Sequence, residues 1–206
     1  MSSVVFTIGH STHSLERLIE LLQTHKITAV ADVRSQPYSR MSPYFNRESL
    51  RSDLKAKKIA YVFLGRELGA RTDDASCYVD GKVQYDRLAQ TALFQEGLAR
   101  VVNGASRYRI ALLCAEKDPL TCHRTILVCR HLVARGLQAA HILGNGRVES
   151  HDDALNRLLR EVGVESKELF RSRDELIAEA YEKRGQQIAY VNRPSTPEIN
   201  AHGVVR

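Results

Sequence analysis

The chain has 206 residues, of which 43% are hydrophobic and 26% are charged, a composition typical of one globular domain with room for a helical appendage. It contains no apolar run of about 18 residues and no secretory leader pattern, so the sequence predicts a cytoplasmic protein without a membrane partner. The formal net charge of +6 favours an anionic partner, either a small molecule or nucleic acid. A charge of this size is also compatible with an ordinary hydrated surface.

Strand and helix patterns alternate through the first two thirds of the chain. Residues rich in β-branched and aromatic side chains predict strands at 4–8, 27–33, 59–64, 108–114 and 138–143. Helical spacing of apolar residues lies between them, including a helix that begins after Ser14 and a segment at 84–103 with a break near Gly97. Because parallel strands require crossovers, this order predicts an α/β fold: a mostly parallel sheet of about five strands flanked by helices, followed by C-terminal helices.

The same patterns divide the chain into three parts. Residues 1–147 form the predicted α/β domain, and residues 148–192 form a helical C-terminal extension. Residues 193–206 contain two prolines and no periodic apolar pattern, so they are predicted to be a tail.

Polar and charged side chains follow four of the predicted strands. Since the carboxyl ends of parallel strands meet at one edge of a sheet, where ligands bind in such folds, these groups are expected to converge there. The candidate site residues are His10 and Ser11 after the first strand, Asp32, Arg34 and Arg40 after the second, Glu67 after the third, and Cys114, Glu116, Cys122, His123 and Arg124 after the fourth.

Their chemistry suggests a pocket for an anion. Arg34 and Arg124 can hold a phosphate or carboxylate through paired hydrogen bonds, and Asp32 and Glu116 are candidates for proton transfer. The remaining residues are predicted to contact the substrate: His10, Ser11, Arg40, Glu67, Cys114 and His123. A structural alternative stays open, in which Asp32 forms an ion pair with Arg34 or Arg124.

The cysteines allow a second kind of chemistry. Asp118 and Pro119 predict a helix that begins near Thr121, and a helix amino terminus would lower the pKa of Cys122 and make it a candidate nucleophile or redox thiol. Cys122 could equally be a small buried core residue, because Ile126 and Cys129 continue one helical face from it. Seven residues separate Cys114 from Cys122, and adjacent Cys122 and His123 would diverge on a helix, so no metal ligand set is predicted.

Cofactor motifs are lacking in the sequence. Neither a GxGxxG nor a Walker A pattern follows a strand, so no cofactor is expected and a hydrolase or transferase without nicotinamide or ATP is favoured. A nucleic-acid-binding accessory protein is the first alternative, because Tyr38, Tyr44 and Phe45 lie among arginines, although the same aromatic residues could anchor their loop to the core. A thiol-redox or metal-binding protein is the second alternative.

Four short segments together resemble a bacterial and archaeal family known as domain of unknown function 488. They are Thr7-Ile8-Gly9-His10-Ser11, Asp32-Val33-Arg34-Ser35 with Pro37, Tyr61 through Glu67-Leu68-Gly69, and Leu113-Cys114-Ala115-Glu116 through Cys122-His123-Arg124, within residues 3–145. The resemblance implies that the strand-end residues belong to one pocket that defines the family. It implies no substrate, cofactor or catalytic role.

Overall fold

The computed structural model describes residues 3–164 and 171–192, and its centre is a twisted six-stranded sheet. The strands are β1 (Val4–Gly9), β2 (Ala29–Asp32), β3 (Ala60–Phe63), β4 (Tyr78–Val79), β5 (Lys82–Val83), β6 (Ile110–Cys114), β7 (Gln138–Ile142) and β8 (Val148–Ser150). The order in the sheet is β3-β2-β6-β1-β7-β8, with β8 antiparallel to β7 and the other pairs parallel, while β4 and β5 form a separate hairpin. The predicted α/β fold with a mostly parallel sheet and C-terminal helices is confirmed.

Helices cover both faces of this sheet. They are α1 (Leu15–Thr24), α2 (Arg47–Ala56), α3 (Gly65–Leu68), α4 (Tyr85–Gln90), α5 (Ala92–Ala105), α6 (Arg130–Val133), α7 (His151–Glu161) and α8 (Arg173–Ile188). A π-helix, Arg124–Cys129, runs directly into α6. Ser14 caps α1 as predicted, because its side chain accepts a hydrogen bond from the backbone amide of Arg17 (3.2 Å). Among the described residues, no helix is both long enough and apolar enough to cross a membrane.

The two faces of the sheet have separate apolar cores. On one face, α1 and α2 bury leucines against β1, β2 and β6, including Leu18 and Leu50. On the other face, α5, the π-helix and α6 bury Phe94, Leu98 and Leu132. β6 is buried along its full length, as expected for a central parallel strand that is covered on both sides.

The predicted break near Gly97 is wrong, because the chain breaks at Thr91 instead. Thr91 ends α4 and also caps α5, where its hydroxyl accepts a hydrogen bond from the amide of Phe94 (3.2 Å). Gly97 lies inside α5, and a Cβ atom there would lie 2.6 Å from the Cβ of Glu67. The glycine therefore allows α5 to approach α3 closely.

A third apolar cluster attaches α7 and α8 to the rest of the chain. Leu158 on α7 and Ala180 on α8 pack against Leu120 and Ile126, which follow β6. β8 extends the sheet at its β7 edge, in the part of the chain predicted as a helical extension. The predicted tail at 193–206 lies outside the described residues.

Buried hydrogen bonds link the sheet to these helices. The Oγ1 of Thr7 lies 2.9 Å from Nδ1 of His141, the Nε2 of His141 lies 3.1 Å from Nδ1 of His151, and the Nε2 of His151 lies 3.0 Å from the hydroxyl of Tyr181. Arg124 donates to Thr7 from Nε (3.4 Å), so the hydroxyl of Thr7 is free to donate to His141. Each histidine can then accept at Nδ1 and donate at Nε2, which requires both rings to be neutral.

This chain of histidines is expected to make stability depend on pH. Burial, followed by the proximity of His151, lowers the pKa of His141 to about 3, with Arg124 and Arg157 acting in the same direction and Asp118 opposing them. In the unfolded chain, His141 has the ordinary histidine pKa of about 6.5 and binds a proton below that pH, whereas the folded protein keeps it neutral. The free energy of unfolding therefore falls as the pH drops from about 6.5 toward 3. At pH 5 the loss from His141 alone is about 2 kcal/mol.

Urea unfolding at pH 7 and pH 5 measures this dependence. His141→Gln removes one titrating group, so the difference in unfolding free energy between the two pH values should become smaller in the variant. An unchanged difference would contradict the assignment to His141.

Candidate active site

The carboxyl ends of β1 and β6 lie side by side, and the chain leaves them toward opposite faces of the sheet. The connection after β1 leads to α1 on one face, whereas the connection after β6 leads to the π-helix on the other face. The two strands remain paired past their ends, since the amide of His10 donates to the carbonyl of Cys114 (2.9 Å) and that of Ser11 to Ala115 (2.8 Å). Neighbouring strands whose connections diverge in this way form the usual ligand site of an open α/β sheet.

The turn after β6 directs two adjacent side chains to one place. Pro119–Thr121 forms a short 3-10 turn, and Asp118 caps it by accepting a hydrogen bond from the amide of Leu120 (2.8 Å). Cys122 is then extended, with φ −134° and ψ 139°, and His123 begins the helical backbone. The prediction of a helix that begins near Thr121, with the side chains of Cys122 and His123 diverging, is therefore wrong.

Four side chains form a compact group, here called the thiol cluster: Cys114, Glu116, Cys122 and His123. The thiols of Cys114 and Cys122 donate to the same oxygen, Oε2 of Glu116, at 2.9 and 3.0 Å. The Nδ1 of His123 lies 3.8 Å from each sulfur, while its Nε2 donates to the carbonyl of Val33 (3.0 Å). Cys114, Cys122 and His123 are buried, and Glu116 is the exposed member.

The members of the thiol cluster alter one another's ionisation. A hydrogen bond with Cys122, together with burial, raises the pKa of Cys114 well above its ordinary value. Burial opposes ionisation of Cys122 as well, but its interaction with the neighbouring thiol of Cys114 and the charge of Arg124 lower its pKa. Desolvation of the carboxylate, followed by the charge of Cys122, raises the pKa of Glu116. Cys122 is therefore the more acidic of the two thiols.

Arg124 lies beneath the thiol cluster and has 1% of its surface exposed. Its guanidinium donates to the carbonyls of Glu116 (2.7 Å) and Lys117 (3.3 Å), and its backbone amide donates to the sulfur of Cys122 (3.4 Å). None of the ion pairs in the described ranges involves Arg124. The side chain holds the loop that carries Glu116.

Asp32 and Arg34 form a buried ion pair beside this group, as the structural alternative expected. The Nε and Nη2 atoms of Arg34 donate to the two carboxylate oxygens at 2.9 and 2.6 Å, and the hydroxyl of Tyr61 donates to Oδ2 (2.7 Å). Arg34 also donates to the carbonyl of Phe45 (3.0 Å) and approaches Nε2 of His10 (3.3 Å). The carboxylate of Asp32 is therefore fully occupied by neighbouring donors.

His10 is held between this ion pair and the long loop after β2. Its ring stacks on Phe45 with 4.3 Å between centroids, and Phe45 is buried, so this aromatic residue anchors the loop to the core. Burial, and then the charge of Arg34, lowers the pKa of His10 to about 4. Tyr38 and Tyr44 on the same loop are exposed. Of the two arrangements expected for these aromatic residues, Phe45 therefore shows the anchoring one, whereas the two tyrosines are exposed.

The other candidate residues have different surroundings. Ser11 follows β1 with a left-handed backbone (φ 44°), and Arg40 is exposed on the long loop. Glu67 on α3 forms an ion pair with Arg100 and lines a cavity of about 470 Å³ with Ser35. Among the described residues, no hydrogen bond or ion pair joins Arg40 or Glu67 to the thiol cluster.

Two tyrosines near the candidate site, Tyr61 and Tyr85, were not among the residues predicted from the sequence. Tyr61 donates to Asp32 from the neighbouring strand β3, and alternation along that strand is the signal that could have placed it on the same side. Tyr85 lines a cavity of about 910 Å³, and burial followed by the charges of Cys122, Cys114 and Glu116 raises its pKa. Nothing in the local sequence of Tyr85 indicates this proximity.

Comparison with known proteins gives one finding. No match was found among curated proteins or among solved structures. One family model matches residues 14–130, more than half of the chain, and that range contains the whole thiol cluster together with Asp32, Arg34 and Arg124. The chain therefore belongs to the family described as Domain of unknown function DUF488.

Proposed function

We propose that this protein is an enzyme that carries out a hydrolytic or group-transfer reaction on an anionic substrate, without nicotinamide or ATP. The observation that carries the proposal is the thiol cluster at the carboxyl end of β6. Two thiols lie 2.9 and 3.0 Å from one carboxylate oxygen of Glu116, and Nδ1 of His123 lies 3.8 Å from each sulfur. Structural cysteines pack as small apolar groups, whereas these sulfurs contact polar atoms. Such a group next to the ligand edge of the sheet favours chemistry over packing alone.

Glu116 is the carboxylate best suited to move protons in this reaction. It is exposed as a residue, yet its Oε2 reaches both sulfurs, so it can contact substrate and cluster together. Asp32 is 0% exposed and already accepts hydrogen bonds from Arg34 and Tyr61. We therefore assign Asp32 a positioning role and Glu116 the role of acid or base.

Basic groups beside Glu116 support an anionic substrate. Lys117 is exposed directly after Glu116, and its side chain lies near His13 beside Gly144. Burial lowers the pKa of His13, and the charges of Arg17 and Lys117 contribute further. Since Arg34 and Arg124 donate to groups inside the protein, we propose that Lys117 makes the first contact with a phosphate or carboxylate.

A nucleotide or a nucleic-acid end fits this description. The described cysteines are free thiols, which is consistent with work in the cytoplasm. The second candidate function, binding of nucleic acid without catalysis, is favoured by one observation: Tyr38 and Tyr44 are exposed on the same loop as Arg40, where bases could stack.

Turnover assays on phosphate esters, nucleotides and short oligonucleotides test the proposal. Glu116→Gln should lower kcat by about 100-fold or more, the usual effect of losing an acid or base, while exposed Glu96→Gln should retain wild-type turnover. Equal turnover by Glu116→Gln and wild type would contradict the role of Glu116. Absence of turnover, combined with DNA or RNA affinity that falls steeply with salt, would support the binding protein instead.

A further inference from the structure

Three atoms of the thiol cluster have the spacing of a metal site. The Sγ atoms of Cys114 and Cys122 and the Nδ1 of His123 all lie within 4.8 Å of one another. With Zn–S bonds of about 2.3 Å and Zn–N bonds of about 2.0 to 2.1 Å, a tetrahedral site requires roughly 3.6 Å between sulfur and nitrogen. Both sulfur-to-nitrogen distances are 3.8 Å, so only small movements are needed.

His123 is already oriented as a metal ligand. The carbonyl of Val33 can only accept, so the Nε2 atom that lies 3.0 Å from it carries the proton. In the neutral ring this leaves the lone pair of Nδ1 directed toward the two sulfurs. Metal-bound histidines typically donate their other ring N–H to a carbonyl or carboxylate in this way.

The charges around the cluster also suit a dication. Two thiolates would cancel the charge of a zinc ion, and Arg124, buried beneath the cluster, would balance the carboxylate of Glu116. The amide of Arg124 donates to the sulfur of Cys122 (3.4 Å), an interaction that stabilises a thiolate. A bound zinc ion would therefore leave the thiol cluster and Arg124, taken together, formally neutral.

We propose that Cys114, Cys122 and His123 bind a zinc ion and that Glu116 faces the fourth position. Three protein ligands with an accessible fourth position are the arrangement of catalytic zinc, in which the metal polarises a substrate oxygen or activates water. The inference rests on the proposed function for the role of the metal, whereas binding itself rests on the geometry of the three ligands. Exposed Glu116 is placed to accept the proton of a bound water or to be displaced by substrate.

Metal content of the full chain tests the site directly. Wild type, Cys122→Ser and Cys129→Ser are produced with zinc in the medium, purified without chelator and measured by mass spectrometry of metals. Cys129 is a matched control, because it is buried in the core outside the cluster. Wild type and Cys129→Ser should each hold about one zinc ion, and Cys122→Ser should bind zinc more than about 100-fold more weakly, since outer partners alone contribute 10- to 100-fold.

Cobalt substitution of the wild-type chain gives a readout that does not depend on the folding of a variant. Thiolate-to-cobalt absorption in the near ultraviolet, with strong visible bands of tetrahedral cobalt, is the expected result. Cobalt spectra without thiolate absorption, or equal zinc affinity in wild type and Cys122→Ser, would overturn the site. Bound zinc without turnover of any phosphate ester would overturn the proposed function alone, and turnover by a chain that lacks this zinc affinity would overturn the zinc site alone.

Discussion

Replacing Arg124 with alanine is expected to lower the free energy of unfolding by about 3 to 5 kcal/mol. The guanidinium is buried and donates to the carbonyls of Glu116 and Lys117, so the change leaves both acceptors without this donor and opens space beneath the loop. The loop would then lose the support that keeps Glu116 against the sulfurs. Urea unfolding monitored by circular dichroism measures the effect.

Arg66→Ala is the matched control for this change. Arg66 is exposed on α3, so its replacement should alter the free energy of unfolding by no more than about 0.5 kcal/mol. A loss of less than about 1 kcal/mol in Arg124→Ala would mean that the buried guanidinium does not support the loop.

Asp32→Ala is expected to be about as damaging, at roughly 3 to 5 kcal/mol, because it leaves the buried charge of Arg34 without its partner. The carboxylate accepts hydrogen bonds from Arg34 at Nε and Nη2, and also from the backbone amide of Arg34 (3.1 Å). Tyr61 would lose its acceptor as well. Urea unfolding provides the measurement.

Two comparison variants separate the ion pair from the hydrogen bond. Tyr61→Phe removes one donor to Asp32 and should cost about 1 kcal/mol. Asp32→Ala combined with Arg34→Met removes both charges and should recover part of the stability lost in Asp32→Ala. A double variant as unstable as the two single losses added together would contradict coupling between the two charges.

The general fold could be predicted because its main strands carry clear local signals. β1 and β6 consist mostly of apolar residues with branched side chains. The segments between the parallel strands have apolar residues at helical spacing. β8 has only three residues, mostly exposed, so its sequence has no apolar run to detect. Pairing with β7 holds it in place, and such pairing is a tertiary property.

The sequence predicts which residues follow the strand ends, but it does not predict how their side chains are arranged. The turn after β6 depends on distant residues: Leu120 packs against α7 and α8, and Arg157 holds the carboxylate of Asp118 at 2.9 and 3.0 Å. These contacts lie at the 3-10 turn that precedes the extended residue Cys122. In this backbone conformation the sulfur of Cys122 lies 3.8 Å from Nδ1 of His123. The spacing of the residues within 114–124 therefore cannot predict this packing.

Arginine roles were also difficult to infer from sequence. A charged residue after a strand is ordinarily exposed and available to a ligand. Arg124 is buried instead, because the carbonyls of its own preceding loop accept its hydrogen bonds. Only the three-dimensional course of residues 116–117 shows that these acceptors lie within reach.

A crystal structure with anomalous scattering measured at the zinc edge tests the central claim most directly. We expect one peak about 2.3 Å from the sulfurs of both Cys114 and Cys122 and about 2.1 Å from Nδ1 of His123. Two sulfurs joined by a bond of about 2.05 Å, or a zinc peak elsewhere with the three atoms unbound, would contradict the zinc site.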